Sequence, residues 1–120
     1  MSDEFLRVAK KEINDDISEI GILLQSCSDD DTLCKKAAHF GKYFHKIKGL
    51  APMMGGDHVG YVAALMDNLL KTAVAGDSVK GIYLAIKKSH EFMQNALNGD
   101  AQDLDLLKAE IEKIINTSKL

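Results

Sequence analysis

The amino-acid sequence predicts an all-α fold: an antiparallel up-down four-helix bundle with an additional fifth C-terminal helix. Apolar residues recur every three or four positions over long segments, which is the pattern of helices with one buried face. The 120 residues include one proline and no tryptophan. Short polar or glycine-containing turns separate the segments, and short connections make neighbouring helices antiparallel. Residues 1–120 are expected to form a single domain.

The first predicted helix spans residues 4–27 and carries one apolar stripe: Leu6, Ala9, Ile13, Ile17, Ile20, Leu24 and Cys27. The turn after it, Ser28 to Asp31, is polar. Its carboxylates suit the positive end of the next helix.

The second helix is predicted from Asp31 to Met54, because its apolar positions alternate in steps of four and three: Leu33, Ala37, Phe40, Phe44, Ile47, Ala51 and Met54. Pro52 has no N–H to donate to the carbonyl of Lys48, so the last turn is expected to kink or tighten.

Three more helices follow in the sequence. The third is predicted to begin at Asp57 as its N-cap and to carry its apolar stripe to Ala73 and Val74. The fourth is predicted to begin near Val79 and to end at Asn98-Gly99, a favourable C-terminal pair. The fifth is predicted over residues 101–116.

Composition excludes several classes of protein. A formal net charge of −3 argues against nucleic acid as a partner. No apolar run approaches the ~18 residues of a membrane span, and the start of the chain lacks the pattern of a signal peptide, so a cytoplasmic protein is expected. Cys27 and Cys34 lack metal-binding spacing and are predicted to be reduced thiols.

Metal and nucleotide motifs are missing from the sequence. Its four histidines form no Glu-x-x-His, His-x-x-x-His or His-Glu-x-x-His pattern, which argues against a metal site in the helices. Neither a Walker-type glycine loop nor a dinucleotide fingerprint occurs. No metal and no cofactor is therefore assigned to this chain.

One histidine in the second helix is predicted to face outward. At about 100° per residue, His45 lies roughly 140° from the centre of the apolar stripe. Gly41 and Gly49 lie four residues before and after it. Glycine inside a helix costs about 1 kcal/mol relative to alanine, so this pair suggests a surface kept bare for the approach of another protein.

The same helix is locally basic in an acidic protein. Between Thr32 and Gly56 there is no Asp or Glu, whereas five lysines fall there. A solvated lysine face is the plain alternative, but the outward histidine favours a partner-binding surface. Its predicted members are Gly41, Lys42, Lys46, Lys48 and Gly49.

An exposed histidine can accept a phosphoryl group on one ring nitrogen if the other nitrogen carries the proton. Such a site needs a carboxylate to hold that proton, a nearby cation and an open approach. Lys48 is the predicted cation, and Gly49 leaves the approach open. Asp67, directly after an inward residue of the third helix, is the candidate carboxylate.

These residues resemble a known family. The sequence His-Lys-Ile-Lys-Gly at 45–49 matches the H-x-x-K-G signature of histidine-containing phosphotransfer (HPt) domains, and Gly55 fits the glycine that usually follows. Leu-Met-Asp-Asn-Leu-Leu at 65–70 is similar to the third-helix segment of the amino-terminal phosphotransfer domain of CheA-type chemotaxis histidine kinases. With the helix count, the resemblance covers essentially the whole chain.

The resemblance implies a role for each site residue. His45 would be phosphorylated on Nε2, Asp67 would hold Nδ1–H, Lys48 would lie beside the phosphoryl group, and Gly49 would keep the approach clear. The donor would be the ATP-binding domain of a histidine kinase, and the acceptor an aspartate of a response-regulator receiver domain. ATP and magnesium would belong to those partners. The isolated domain would be monomeric, without kinase activity of its own.

Two positions depart from the family pattern. Asp67 stands where a glutamate is usual and is one methylene shorter, so its hydrogen bond to His45 is expected to be longer or to need a shifted helix. Ala64 stands where a second histidine is frequent. The alternative function is a helical module that docks a receiver or kinase domain without being phosphorylated. The sequence also leaves open a stand-alone relay protein or the first domain of a longer kinase.

Overall fold

The computed structural model of the chain describes residues 2–99 and 103–118, and within these residues every regular element is helical. The all-α class predicted from the sequence is confirmed. The elements are α1 (Asp3–Gln25), α2 (Asp30–Cys34), α3 (Ala37–Leu50), a 3-10 helix (Pro52–Met54), α4 (Asp57–Val74), α5 (Ile82–Leu97) and α6 (Leu104–Ser118). None of these described helices has the length and apolar character needed to cross a membrane.

The core is formed by buried residues of α1, α3, α4, α5 and α6, together with Leu33 of the short helix α2. Helix α1 packs against α3 and α5, α4 also packs against α3 and α5, and α6 lies on α5. Phe40 and Phe44 of α3 are completely buried at the centre. The apolar stripe predicted for the first helix is buried from Ala9 to Cys27, which lies just beyond the end of α1, while Leu6 is only partly buried. Helices α3 and α4 share the most extensive contact, and this pair carries the residues of interest.

The prediction of one continuous second helix over residues 31–54 is wrong, because the chain forms three separate elements there. Asp29 and Thr32 form a capping box that starts α2, with Thr32 N–H donating to Asp29 Oδ1 at 2.9 Å. Lys36, at φ −112° and ψ 16°, then separates α2 from α3. Leu33 and Ala37 remain buried on either side of the break, so the apolar spacing continues through it.

The predicted tightening at Pro52 is confirmed. Pro52 begins the 3-10 helix, which ends at Gly55 in the left-handed conformation with φ 79°. Gly60 of α4 faces the proline ring, since a Cβ at this position would lie 2.8 Å from Pro52 Cγ. The close approach fixes the path of the chain from α3 into α4.

Helix α5 begins later than predicted. Helix α5 starts at Ile82 because Gly81 occupies the left-handed region at φ 86°. Asp30 of α2 caps this start, accepting the N–H groups of Gly81 and Tyr83 at 2.9 Å each. Helix α6 begins at Leu104 and ends at Ser118; the predicted start at residue 101 lies outside the described residues.

Gly81→Ala is expected to destabilise the fold more than Gly76→Ala. Both glycines have positive φ, but a Cβ at Gly76 meets open space, whereas one at Gly81 would collide with Ile114 of α6. The conformational cost alone is about 1–2 kcal/mol, and the clash adds about 1–3 kcal/mol. Urea unfolding measures the free energy of unfolding of the two variants. Equal losses of stability would contradict the close approach of Gly81 to α6.

Candidate functional site

His45 lies on the exposed face of α3, as the sequence predicts. Its neighbours Phe44 and Ile47 are completely buried, which fixes the rotation of the helix and directs position 45 outward. The His45 side chain is 67% exposed. The packed core therefore fixes the backbone at position 45, and most of the His45 side chain is exposed to solvent.

Asp67 of α4 is the buried partner of this ring. It is only 2% exposed, between the buried Met66 and Leu70. Its Oδ2 lies 3.3 Å from His45 Nδ1. This distance exceeds the usual ~2.9–3.0 Å, which agrees with the short aspartate side chain. An ionised carboxylate can only accept, so the contact requires a proton on Nδ1; in the neutral form of the ring, Nε2 then carries the lone pair.

Two lysines share the same carboxylate oxygen. Lys48 Nζ of α3 lies 3.4 Å from Asp67 Oδ2, and Lys71 Nζ of α4 lies 3.1 Å from it. Lys48 was predicted from the sequence, whereas Lys71 was missed. Its position four residues after Asp67 was the available signal, because residues at this spacing are neighbours on a helix surface.

The charge state of Asp67 follows from these contacts. Burial raises its pKa, but hydrogen bonds from Lys71, His45 and Lys48, together with the charge of Lys71, outweigh burial and leave the pKa below its ordinary value. Asp67 is thus an ionised carboxylate in an almost fully buried position. It can hold an N–H group and offset a positive charge on the ring.

The surface around His45 is open. A Cβ built at Gly41 or at Gly49 would meet no heavy atom within 4 Å outside the helix's own backbone. On the Gly41 side, a groove of about 320 Å³ runs between α3 and α4; its lining residues are Ala37, Ala38, Gly41, Lys42, His45, Asp67, Leu70, Lys71 and Val74. Lys42, a member of the partner surface predicted from the sequence, lines this groove.

Lys46 is engaged elsewhere. Its Nζ lies 3.2 Å from Asp16 Oδ1 and 3.7 Å from Glu12 Oε1, both on α1. Asp16 is 4% exposed, and burial raises its pKa in spite of the opposing contact with Lys46. The structure thus ties the residue next to His45 to the neighbouring helix and leaves it outside the groove lining. Sequence reasoning did not find this ion pair.

The other histidines lie apart from this arrangement. His90 of α5 has Nε2 3.0 Å from the carbonyl of Ile17, and Gly21 gives its ring room against α1. His39 contacts the hydroxyl of Tyr43 at 3.2 Å, and His58 lies exposed near the start of α4. Among the described residues, no three His, Cys, Asp or Glu side chains are placed to hold a metal ion.

Comparison of the chain with protein-family models, with curated proteins and with solved structures gave no match. What supports a function is therefore the local geometry of the site together with the sequence signature around His45.

Asp67→Asn is expected to lower the free energy of unfolding by about 1–2 kcal/mol at neutral pH, because the buried ionic contacts are lost. The folded pKa of Asp67 is depressed, so this stabilisation is complete above the ordinary value of 3.8 and disappears as the pH falls through the lowered folded value. Urea unfolding of both proteins from neutral to acidic pH measures this. A stability difference independent of pH would contradict the ionised state.

Proposed function

We propose that this chain is a phosphotransfer module of a two-component phosphorelay, similar to the phosphotransfer domain of chemotaxis histidine kinases. The observation that carries the proposal is the exposed His45 ring, whose Nδ1 lies 3.3 Å from the buried Asp67 carboxylate. In this proposal α1, α3, α4 and α5 form an antiparallel up-down bundle, with α6 as the additional C-terminal helix. The module acts in the cytoplasm as a monomer.

The first step is the transfer of a phosphoryl group to His45. The Nε2 lone pair forms a bond to the γ-phosphorus of ATP held by a histidine kinase domain, and the bond from that phosphorus to the ADP oxygen breaks. The ring keeps its proton on Nδ1 and becomes positively charged. Asp67 offsets that charge, and Lys48 offsets the charge of the phosphoryl oxygens.

The second step returns His45 to its neutral state. A carboxylate oxygen of a receiver-domain aspartate forms a bond to phosphorus, and the phosphorus–Nε2 bond breaks with its electron pair returning to Nε2. The proton stays on Nδ1 throughout, so the site is ready for another cycle. ATP and magnesium belong to the partner domains, and this chain contributes the histidine and its surroundings.

Open space around the ring supports this use, because in-line transfer needs room beyond Nε2. Gly41 and Gly49 place no side chain next to His45. The groove beside His45 has apolar walls and the lysines Lys42 and Lys71, which suits a receiver domain whose acceptor site is acidic. The same groove would serve the alternative function, docking of such a domain without phosphorylation.

Incubation with the ATP-binding part of a chemotaxis-type histidine kinase and γ-labelled ATP separates the two functions. The phosphotransfer function predicts a label that is labile in acid and stable in alkali, absent from His45→Gln and passed on to a receiver domain. Absence of label from the folded wild-type protein, with a kinase that labels its own substrate domain, would leave only docking.

Gly49→Leu is expected to slow phosphoryl transfer by about tenfold or more while leaving the fold intact. The position is exposed and meets open space, and leucine favours a helix over glycine by up to about 1 kcal/mol, so stability should be unchanged or raised. The control Lys87→Leu adds an exposed leucine on α5. Transfer rates of the two variants measure the effect, and equal rates would refute the access argument.

A further inference from the structure

Lys71 makes the shortest contact to the buried carboxylate of the site. Its Nζ lies 3.1 Å from Asp67 Oδ2, compared with 3.3 Å for His45 Nδ1 and 3.4 Å for Lys48 Nζ. All three donors converge on one oxygen. In the resting protein Lys71 therefore competes directly with His45 for the atom that holds the ring proton.

The two lysines reach Asp67 from different sides of His45. Lys48 follows His45 by one turn toward the C-terminal end of α3. Lys71 lines the groove that extends the other way, together with Gly41 and Lys42. A group attached to His45 Nε2 would consequently have a lysine available on each side. Lys71 is 61% exposed in its side chain, which leaves its long chain free to turn.

The local charge is not balanced in the resting site. One carboxylate faces two ammonium groups, which leaves an excess positive charge beside the His45 ring. A phosphoryl group carries a charge of about −1.5 to −2 at neutral pH, so its arrival would cancel most of this excess together with the positive charge that the ring then carries. The resting site thus already contains a cation beyond the one that Asp67 needs.

We propose that Lys71 exchanges partners during the relay: it holds Asp67 Oδ2 in the resting protein and moves to the phosphoryl oxygens once His45 is phosphorylated. This inference rests on the proposed phosphotransfer function. In the resting state Lys71 is a positioning residue that limits the hydrogen bond between Asp67 and His45. In the phosphorylated state it stabilises the phosphoryl group directly, and the released Asp67 oxygen supports the positively charged ring.

The test uses Lys71→Gln, Lys71→Arg and the control Lys87→Gln, which removes the same charge from an exposed position of α5. Phosphoramidate serves as the donor, so that no kinase is needed. His45 Nε2 forms a bond to phosphorus, the phosphorus–nitrogen bond of phosphoramidate breaks, and ammonia leaves. His45→Gln identifies the signal from position 45 in phosphorus NMR spectra.

Two measurements decide the proposal. The lifetime of phosphorylated His45 should fall about threefold to fivefold in Lys71→Gln and should be restored in Lys71→Arg. In the unphosphorylated protein, nitrogen NMR of the ring should show a larger fraction protonated on Nδ1 in Lys71→Gln, because Asp67 is freed. A purely structural role for Lys71 would change neither value. Lys87→Gln should match the wild type in both.

The exchange would be overturned if Lys71→Gln had the same phosphohistidine lifetime and the same ring shifts as Lys87→Gln. A change in the lifetime alone, or in the ring shifts alone, would also overturn it. Failure of the wild-type protein to take a phosphoryl group at His45 would instead overturn the proposed function. In that case the proposed exchange is overturned as well. The ring shifts of the unphosphorylated protein still show whether Lys71 competes with His45 for Asp67.

Discussion

A single buried carboxylate determines the character of the site. Asp67 is held in the packed contact between α3 and α4, where it would be costly to keep an ionised group without partners. The ring of His45 and two lysines supply those partners. In the resting protein these contacts offset the cost of burial, and the contact with His45 also fixes the orientation of an exposed imidazole.

The remaining structure keeps this pair of helices in register. Phe40 and Phe44 fix the rotation of α3, and the contact of Pro52 with Gly60 fixes the entry into α4. Asp30 ties the short α2 to the start of α5 across a large separation in sequence. These contacts set the positions of α3 and α4, so a shift in any of them would move the imidazole relative to its carboxylate.

Much of this arrangement could be predicted from periodicity. The spacing of apolar residues predicted the helices, the outward direction of His45 and the nearness of Asp67. It failed at Lys36, because buried positions continue through a break that depends on the capping of α2. Periodicity also did not predict the contacts of Lys46 with Asp16 and of Lys71 with Asp67. A long, flexible lysine side chain can reach several neighbouring carboxylates, and which one it contacts depends on how the helices pack.

The claim on which the account depends is that Asp67 holds the Nδ1 proton and leaves Nε2 as the acceptor of the phosphoryl group. Nitrogen NMR of phosphorylated protein tests it most directly, through the coupling between phosphorus and each ring nitrogen of His45. The expected result is phosphorus on Nε2 and a proton on Nδ1 in the same ring. Phosphorus on Nδ1, or a ring whose Nδ1 carries no proton, would contradict it.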